Sequence, residues 1–265
     1  MKKALSLLLV SLAATGCAKA EKPPHPDFSL TAASWRELTA RMPVETARLA
    51  AEDPARFLSG IREVLATPRD LLVLVDKTRG LGREAVPADL VELTRYPSLR
   101  LNRNDLKMRR AAADALAAMS DSARKAGVPL VVASSFRTYA YQETLFDWNL
   151  KTYGREVTEK EIARPGHSQH QLGTVVDFDP TDEKFHGTPA ALWLEKNAGD
   201  FGFSLSYPKG EEATTGYVYE SWHYRYVGAA AVSMIDRYFQ GRQQGFLSWW
   251  DAEEATYRKA LKTAP

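Results

Sequence analysis

The sequence predicts an α+β protein in which helices at both ends of the chain enclose a strand-bearing middle. Apolar residues recur at helical spacing between Ser34 and Leu65 and again between Gly228 and Ala260. The middle instead holds short apolar runs, LLVLVD at 71–76, VPLVVAS at 128–134 and TVVDF at 174–178, bounded by glycine or proline and too brief for helices. With 265 residues and 45% hydrophobic content, the chain can bury one sizeable core, so a single domain over residues 28–265 is expected.

The first sixteen residues, MKKALSLLLVSLAATG, begin with Lys2 and Lys3, continue apolar through Leu12 and end in small residues. This is the pattern of a secretory signal, too short for an ordinary membrane span. Ala14-Thr15-Gly16-Cys17 resembles a bacterial lipobox, although leucine is more usual where Ala14 stands, and makes Cys17 the expected acylated N-terminus of a lipoprotein. Cys17 is the sole cysteine, so an intramolecular disulfide is excluded. Loss of the signal removes two lysines and leaves 33 basic residues against 33 acidic ones, so nothing in the charge favours a nucleic-acid partner. Residues 17–27, polar and proline-rich, read as a tether in which His25 is solvated.

An N-terminal helical layer follows, with Ser34 as the expected cap and Glu37 three residues on as its capping-box partner. Pro43, Pro54 and Pro68 divide the layer into short helices. Leu71–Asp76 reads as a buried strand and the region of Gly80 and Gly82 as a loop. A long amphipathic helix is predicted over Arg103–Lys125, ended by Gly127. Val128–Ser134 reads as a strand that delivers SFRTYAYQ at its end, where Arg137 could clamp a carboxylate with two parallel hydrogen bonds. Tyr139–Tyr153 and Gly228–Tyr238 read as helices, and so does Phe246–Ala260, with Trp249 and Trp250 packed in the core.

Chemistry concentrates in ARPGHSQHQLGTVVDFD, which closes at Asp179, and in ESWHYRYVG at 220–228. In the strand at 174–178, Asp177 points away from Val176 and Phe178, and a carboxylate held among core residues is costly unless paired or bound to a cation. His170, Asp177 and His223 supply two imidazoles and a carboxylate, with Glu220 as a spare acid. Catalytic zinc keeps three such ligands and one open position for water, and the spare acid serves as base. HExxH is absent, so the ligands must come from separate segments. His167 and His186 lack a partner pattern, His167 being the better candidate for lining a pocket. Residues three apart in a strand face opposite sides, so Glu220 and His223 share a site only if a turn or bulge falls near Ser221.

SSFRTYAYQ, RPGHSQHQLGTVVDFD and SYPKGEEATTGYVYESWHYRYVG, in that order, resemble the VanY-type D-alanyl-D-alanine carboxypeptidases, zinc peptidases acting on peptidoglycan. The resemblance covers roughly Leu71–Gly228, with Ser168, His170, Gly173 and Asp177 on the pattern SxHxxGxAxD and Val175 in place of the usual small residue. It implies a small antiparallel sheet flanked by helices with the metal in a groove over one face. It further implies Zn²⁺ on His170, Asp177 and His223, Glu220 as catalytic base, and Arg137 as an aid to substrate binding and transition-state charge. Ser168 and Gln142 are then placed near the substrate terminus. The expected protein is a monomeric, lipid-anchored enzyme of the bacterial cell envelope that removes terminal D-alanine from peptidoglycan stem peptides, whether D,D or L,D. An endopeptidase, or a zinc-containing domain that only binds cell wall, are the rival readings.

Overall fold

A computed structural model describes residues 23–262, so the expected signal and Cys17 lie outside the described residues. Three helices open the chain: α1 (Ala32–Thr39), α2 (Val44–Glu52) and α3 (Pro54–Leu65). The cap of α1 is Thr31 rather than Ser34. Thr31 Oγ1 accepts from the Ser34 amide at 3.1 Å while Ser34 Oγ accepts from the Thr31 amide at 2.9 Å, so Ser34 fills the reciprocal position expected of Glu37. Pro43 precedes α2, and Pro54 opens α3 behind the Asp53 cap, as the proline spacing predicts.

His25 is buried, with Nε2 3.0 Å from Ser59 Oγ and its ring edge-on to Phe28. The expected solvated tether is therefore already part of the folded body at residue 25, because the histidine has both a polar partner and an aromatic wall.

The sheet is built from β2 (Arg100–Leu101), β4 (Val131–Ser134), β5 (Val175–Phe178), β6 (Phe203–Leu205) and β7 (His223–Tyr226), in the order β2-β4-β5-β7-β6. All pairs are antiparallel except the edge pair β2–β4. A separate antiparallel pair joins β1 (Leu90–Glu92) to β3 (Lys107–Arg109). Helix α4 therefore starts at Arg110, seven residues later than predicted, and runs to Lys125. Periodicity alone missed this because Leu106 and Met108 are buried by the β1–β3 ladder, not by a helical face. Gly127 follows α4 at φ +78°, the left-handed position that favours glycine.

Leu71–Asp76 forms no strand. Leu71, Leu72, Leu74 and Val75 are buried as the apolar run requires, but the carbonyls of Leu71 and Val73 accept from the Arg225 guanidinium at 3.0 and 2.8 Å. A side chain thus satisfies backbone groups that the sequence reading assigned to a ladder.

Helix α5 (Tyr139–Glu161) is capped by Thr138 and kinked at Gly154, beyond the predicted end at Tyr153. The remaining helices are α6 (Pro189–Asn197), α7 (Glu212–Thr215), α8 (Ala229–Phe239) and α9 (Gln243–Ala260). Two apolar clusters result. One joins α1–α3 to α8 and α9, with Trp249 and Trp250 buried in it as predicted. The other packs α4 and α6 on one face of the sheet through Val132, Val176, Phe178 and Tyr224. Alternation along β5 and β7 turns Asp177, His223 and Arg225 to the opposite face. Among the described residues no helix is long and apolar enough to cross a membrane.

Candidate metal centre

Strand register builds the site. Asp177 of β5 lies directly opposite His223 of β7, so two side chains distant in sequence share one face of adjacent strands. His170 comes from a one-turn 3₁₀ segment, Gln169–Leu172, whose N-terminus is capped by Ser168 and which ends at Gly173 with φ +70°. A residue with a Cβ would be strained there and would also press on Leu90. Glu220 precedes β7 by a turn closed by the His223 amide on the Glu220 carbonyl at 3.2 Å, the turn that the three-residue spacing demanded.

The ligand atoms of His170, Asp177 and His223 lie within 4.8 Å of one another, and all three residues are buried. His170 Nε2 is 3.1 Å from Asp177 Oδ2, while His223 Nδ1 is 3.1 Å from both Asp177 Oδ1 and Glu220 Oε2. His170 Nδ1 lies 2.6 Å from the Ser135 carbonyl, which can only accept, so the ring proton is on Nδ1 and Nε2 carries a lone pair. Burial and the nearby Arg137 guanidinium push His170 down to about 4, keeping it neutral. A lone pair facing a carboxylate oxygen at this distance is repulsive unless a cation lies between them. Asp177 Oδ1 is likewise buried, and its 3.1 Å contact with His223 Nδ1 is an ion pair that lacks hydrogen-bond geometry. The donor set therefore fits a metal ion, and the Ser135 contact is the carbonyl support that orients metal-binding imidazoles.

The electrostatics agree. Burial works against charge on Asp177, yet the protonated His223 beside it holds its carboxyl well below the usual range. Burial likewise opposes charge on His223, but Asp177 and Glu220 outweigh it and hold the imidazole up to about 9. Burial raises the Glu220 carboxyl above its ordinary value, opposed by His223.

Arg137 follows β4 and donates from Nη2 to Asp177 Oδ2 at 3.0 Å and to Ser134 Oγ at 3.0 Å. Its guanidinium sits at the wall of a groove of about 890 Å³ that also receives Gln142, Ser168, Glu220 and all three metal-ligand candidates. Gln142 is buried with one Nε2 proton on the Ala163 carbonyl at 2.8 Å, which leaves its second proton for the groove. Ser168 Oγ accepts from the His170 amide at 3.3 Å and keeps its own proton to donate.

His167 does not line this groove. Its Nδ1 instead donates to the Asp76 carbonyl at 2.8 Å. His186 lies in the groove wall, 3.2 Å from the Tyr219 hydroxyl and away from the ligand cluster. The sequence reading assigned no role to Tyr207, whose ring lies tilted against two others, its centre 4.8 Å from that of His223 and 4.9 Å from that of Tyr217. The only signal available was the density of aromatic residues ahead of Glu220.

A family model described as "VanY: D-alanyl-D-alanine carboxypeptidase" matches residues 105–229, which include every residue of this site. A VanY-type D,D-pentapeptidase from the VanB-type resistance cassette, solved as a glutamate-to-alanine variant with Zn(II), is 30% identical and superposes with a TM-score of 0.56 over 67% of this chain and 99% of its own. The chain belongs to the VanY family. Within that family it also resembles the LdcB LD-carboxypeptidase, at 31% identity and a TM-score of 0.60 over 73% of this chain and 88% of that one. YodJ of Bacillus subtilis (strain 168) is 35% identical over 179 residues, 65% of this chain and 66% of YodJ. The chain spans about half to two thirds of the length of the curated relatives it matches.

Proposed function

We propose that this VanY-family chain is a zinc-dependent carboxypeptidase that removes the C-terminal D-alanine from peptidoglycan stem peptides. The observation that carries the reading is the convergence of His170, Asp177 and His223 on one buried point, with the Glu220 carboxylate beside it and all four lining one groove. His170 Nε2, one Asp177 oxygen and His223 Nδ1 would hold the zinc. When bound, the ion lowers the pKa of water to about 7 and polarises the scissile carbonyl.

The chain's own groups do the rest. Glu220, raised by burial and set 3.1 Å from His223, takes the proton of the attacking water and returns it to the leaving amine. Arg137, with Nη2 shared between Asp177 and Ser134 and Nε also on Ser134 Oγ, keeps its two Nη1 protons, which oppose negative charge that develops on the carbonyl oxygen. The terminal carboxylate of the substrate meets the Ser168 hydroxyl and the second Gln142 N–H, two donors fixed by their own backbone contacts. Burial of these donors away from bulk water strengthens each contact.

The resemblance to a D,D-pentapeptidase and to an LD-carboxypeptidase supports a short D-alanine-terminated peptide as substrate. The signal-like residues 1–16 and Cys17 support a protein tethered by lipid in the bacterial cell envelope. Mass spectrometry of defined muropeptides, ending in D-Ala-D-Ala or in one D-Ala, tests the reading when the protein is incubated with zinc. Loss of a single D-Ala is expected and the responding peptide gives D,D or L,D specificity. Internal fragments, or no cleavage, would overturn it.

A further inference from the structure

The stretch expected as a strand at Leu71–Asp76 instead begins an irregular strap, residues 71–85, that lies outside the family-matched residues 105–229. Side chains adjacent in sequence to the site residues hold its backbone. Arg225, fully buried two positions after His223, donates from Nη2 to the Leu71 and Val73 carbonyls. Gln171, next to His170, donates from Nε2 to the Gly82 carbonyl at 2.8 Å and the Ala85 carbonyl at 3.2 Å. His167 takes the Asp76 carbonyl, and the Leu81 amide donates to Gly166 at 2.8 Å.

Lys77 makes the last attachment. Its ammonium lies 3.4 Å from the centre of the Tyr217 ring and bonds the Glu159 carbonyl, while its stem fills the space where a Cβ on Gly216 would stand. Tyr217 is three residues before Glu220. The segments bearing His170, Glu220 and His223 are thus each fastened to one irregular run of chain, at one to four residues from the group that matters.

The coupling works in both directions. Strap carbonyls without ladder partners need buried donors. Arg225, in turn, has no carboxylate partner among the described residues, and its Nε and Nη1 have no acceptor, so the strap carbonyls are what hold this buried cation. A support needed only for folding would show no bias toward neighbours of the ligands; here the donors at 167, 171 and 225 bracket them.

We propose that the strap 71–85 sets the relative placement of the three site segments, with Arg225, Gln171 and Lys77 as its positioning residues. The proposal rests on the zinc reading for its metal-affinity readout alone. The test measures hydrogen exchange in the metal-free full chain and zinc affinity by competition with a chromophoric chelator, for Lys77→Met, Gln171→Leu, Arg225→Met and Arg225→Lys. Exchange should rise about tenfold or more in residues 216–226 for Lys77→Met and in 166–173 for Gln171→Leu, with α9 unchanged.

Zinc affinity should fall about 10- to 100-fold, the usual effect of losing a group that orients a ligand. Arg225→Lys should recover much of the loss seen in Arg225→Met. If Arg225→Met does not fold, Lys77→Met and Gln171→Leu decide. Folded variants whose local exchange and zinc affinity stay within about twofold of the parent overturn the proposal. A parent that binds no zinc defeats the zinc reading, and the exchange measurement then decides the role of the strap.

Discussion

Glu220→Gln separates base chemistry from metal binding with little steric disturbance. The residue is held at both ends, its amide on the Tyr207 carbonyl at 3.1 Å and its carbonyl on the His223 amide at 3.2 Å. Glutamine has the same heavy-atom skeleton, so the ligand segments keep their places, but it cannot accept the proton that Glu220 takes. General bases contribute about 10²- to 10⁴-fold, which is about 3–5 kcal/mol of barrier at 1.36 kcal/mol per decade. The raised carboxyl of Glu220 brings its basicity toward working pH, which favours proton transfer from the attacking water. D-alanine release under saturating zinc, with metal content measured in parallel, should show one zinc per chain and kcat lowered at least about a hundredfold. KM should stay within about threefold, because substrate contacts remain. Turnover close to the parent with zinc bound would refute Glu220 as base, and loss of zinc would place it among the ligands instead.

Zinc binding should release about one proton near pH 7, because His223 is held up to about 9 in the metal-free protein and must deprotonate to coordinate. Calorimetry in buffers of different ionisation enthalpy reads this directly, and equal heats in all buffers would contradict it. The same imidazole makes metal-free stability pH dependent. Its raised pKa contributes stability that is complete below its unfolded value of 6.5 and is lost as pH climbs through about 9, up to about 3 kcal/mol. His170, depressed to about 4, has the opposite sign: its contribution is present above 6.5 and disappears as pH falls toward 4. Urea midpoints of chelator-treated protein should therefore peak near pH 6–7, and a flat profile would rule out both shifts. Trp249→Ala should cost about 3–5 kcal/mol in the same denaturation assay, since the indole is buried among Phe57, Phe239 and Phe246, while zinc affinity stays unchanged.

The candidate site was legible in the sequence because its chemistry uses few residue types. His170, Asp177 and His223 stand out through an acid in an apolar strand and histidines beside glycine-bounded turns, and Glu220 through a spacing that required a turn. Helices α3, α8 and α9 were legible for a different reason, since each buries a stripe of its own surface and so writes its period into the chain. What escaped was decided between distant segments. Leu71–Asp76 has the composition of a strand, and only the placement of Arg225 determines that its carbonyls meet a guanidinium instead of a neighbouring strand. Leu106 and Met108 fit a helix as well as a ladder until β1 arrives to pair with β3. His25 reads as tether until Ser59 and Phe28 enclose it. Sequence by itself determined which groups could bind a metal and which faces must be buried, because those depend on side-chain chemistry and local periodicity. Tertiary structure alone decided which backbone carbonyls each buried donor reaches, because hydrogen-bond partners are assigned by proximity in space and leave no period in the chain.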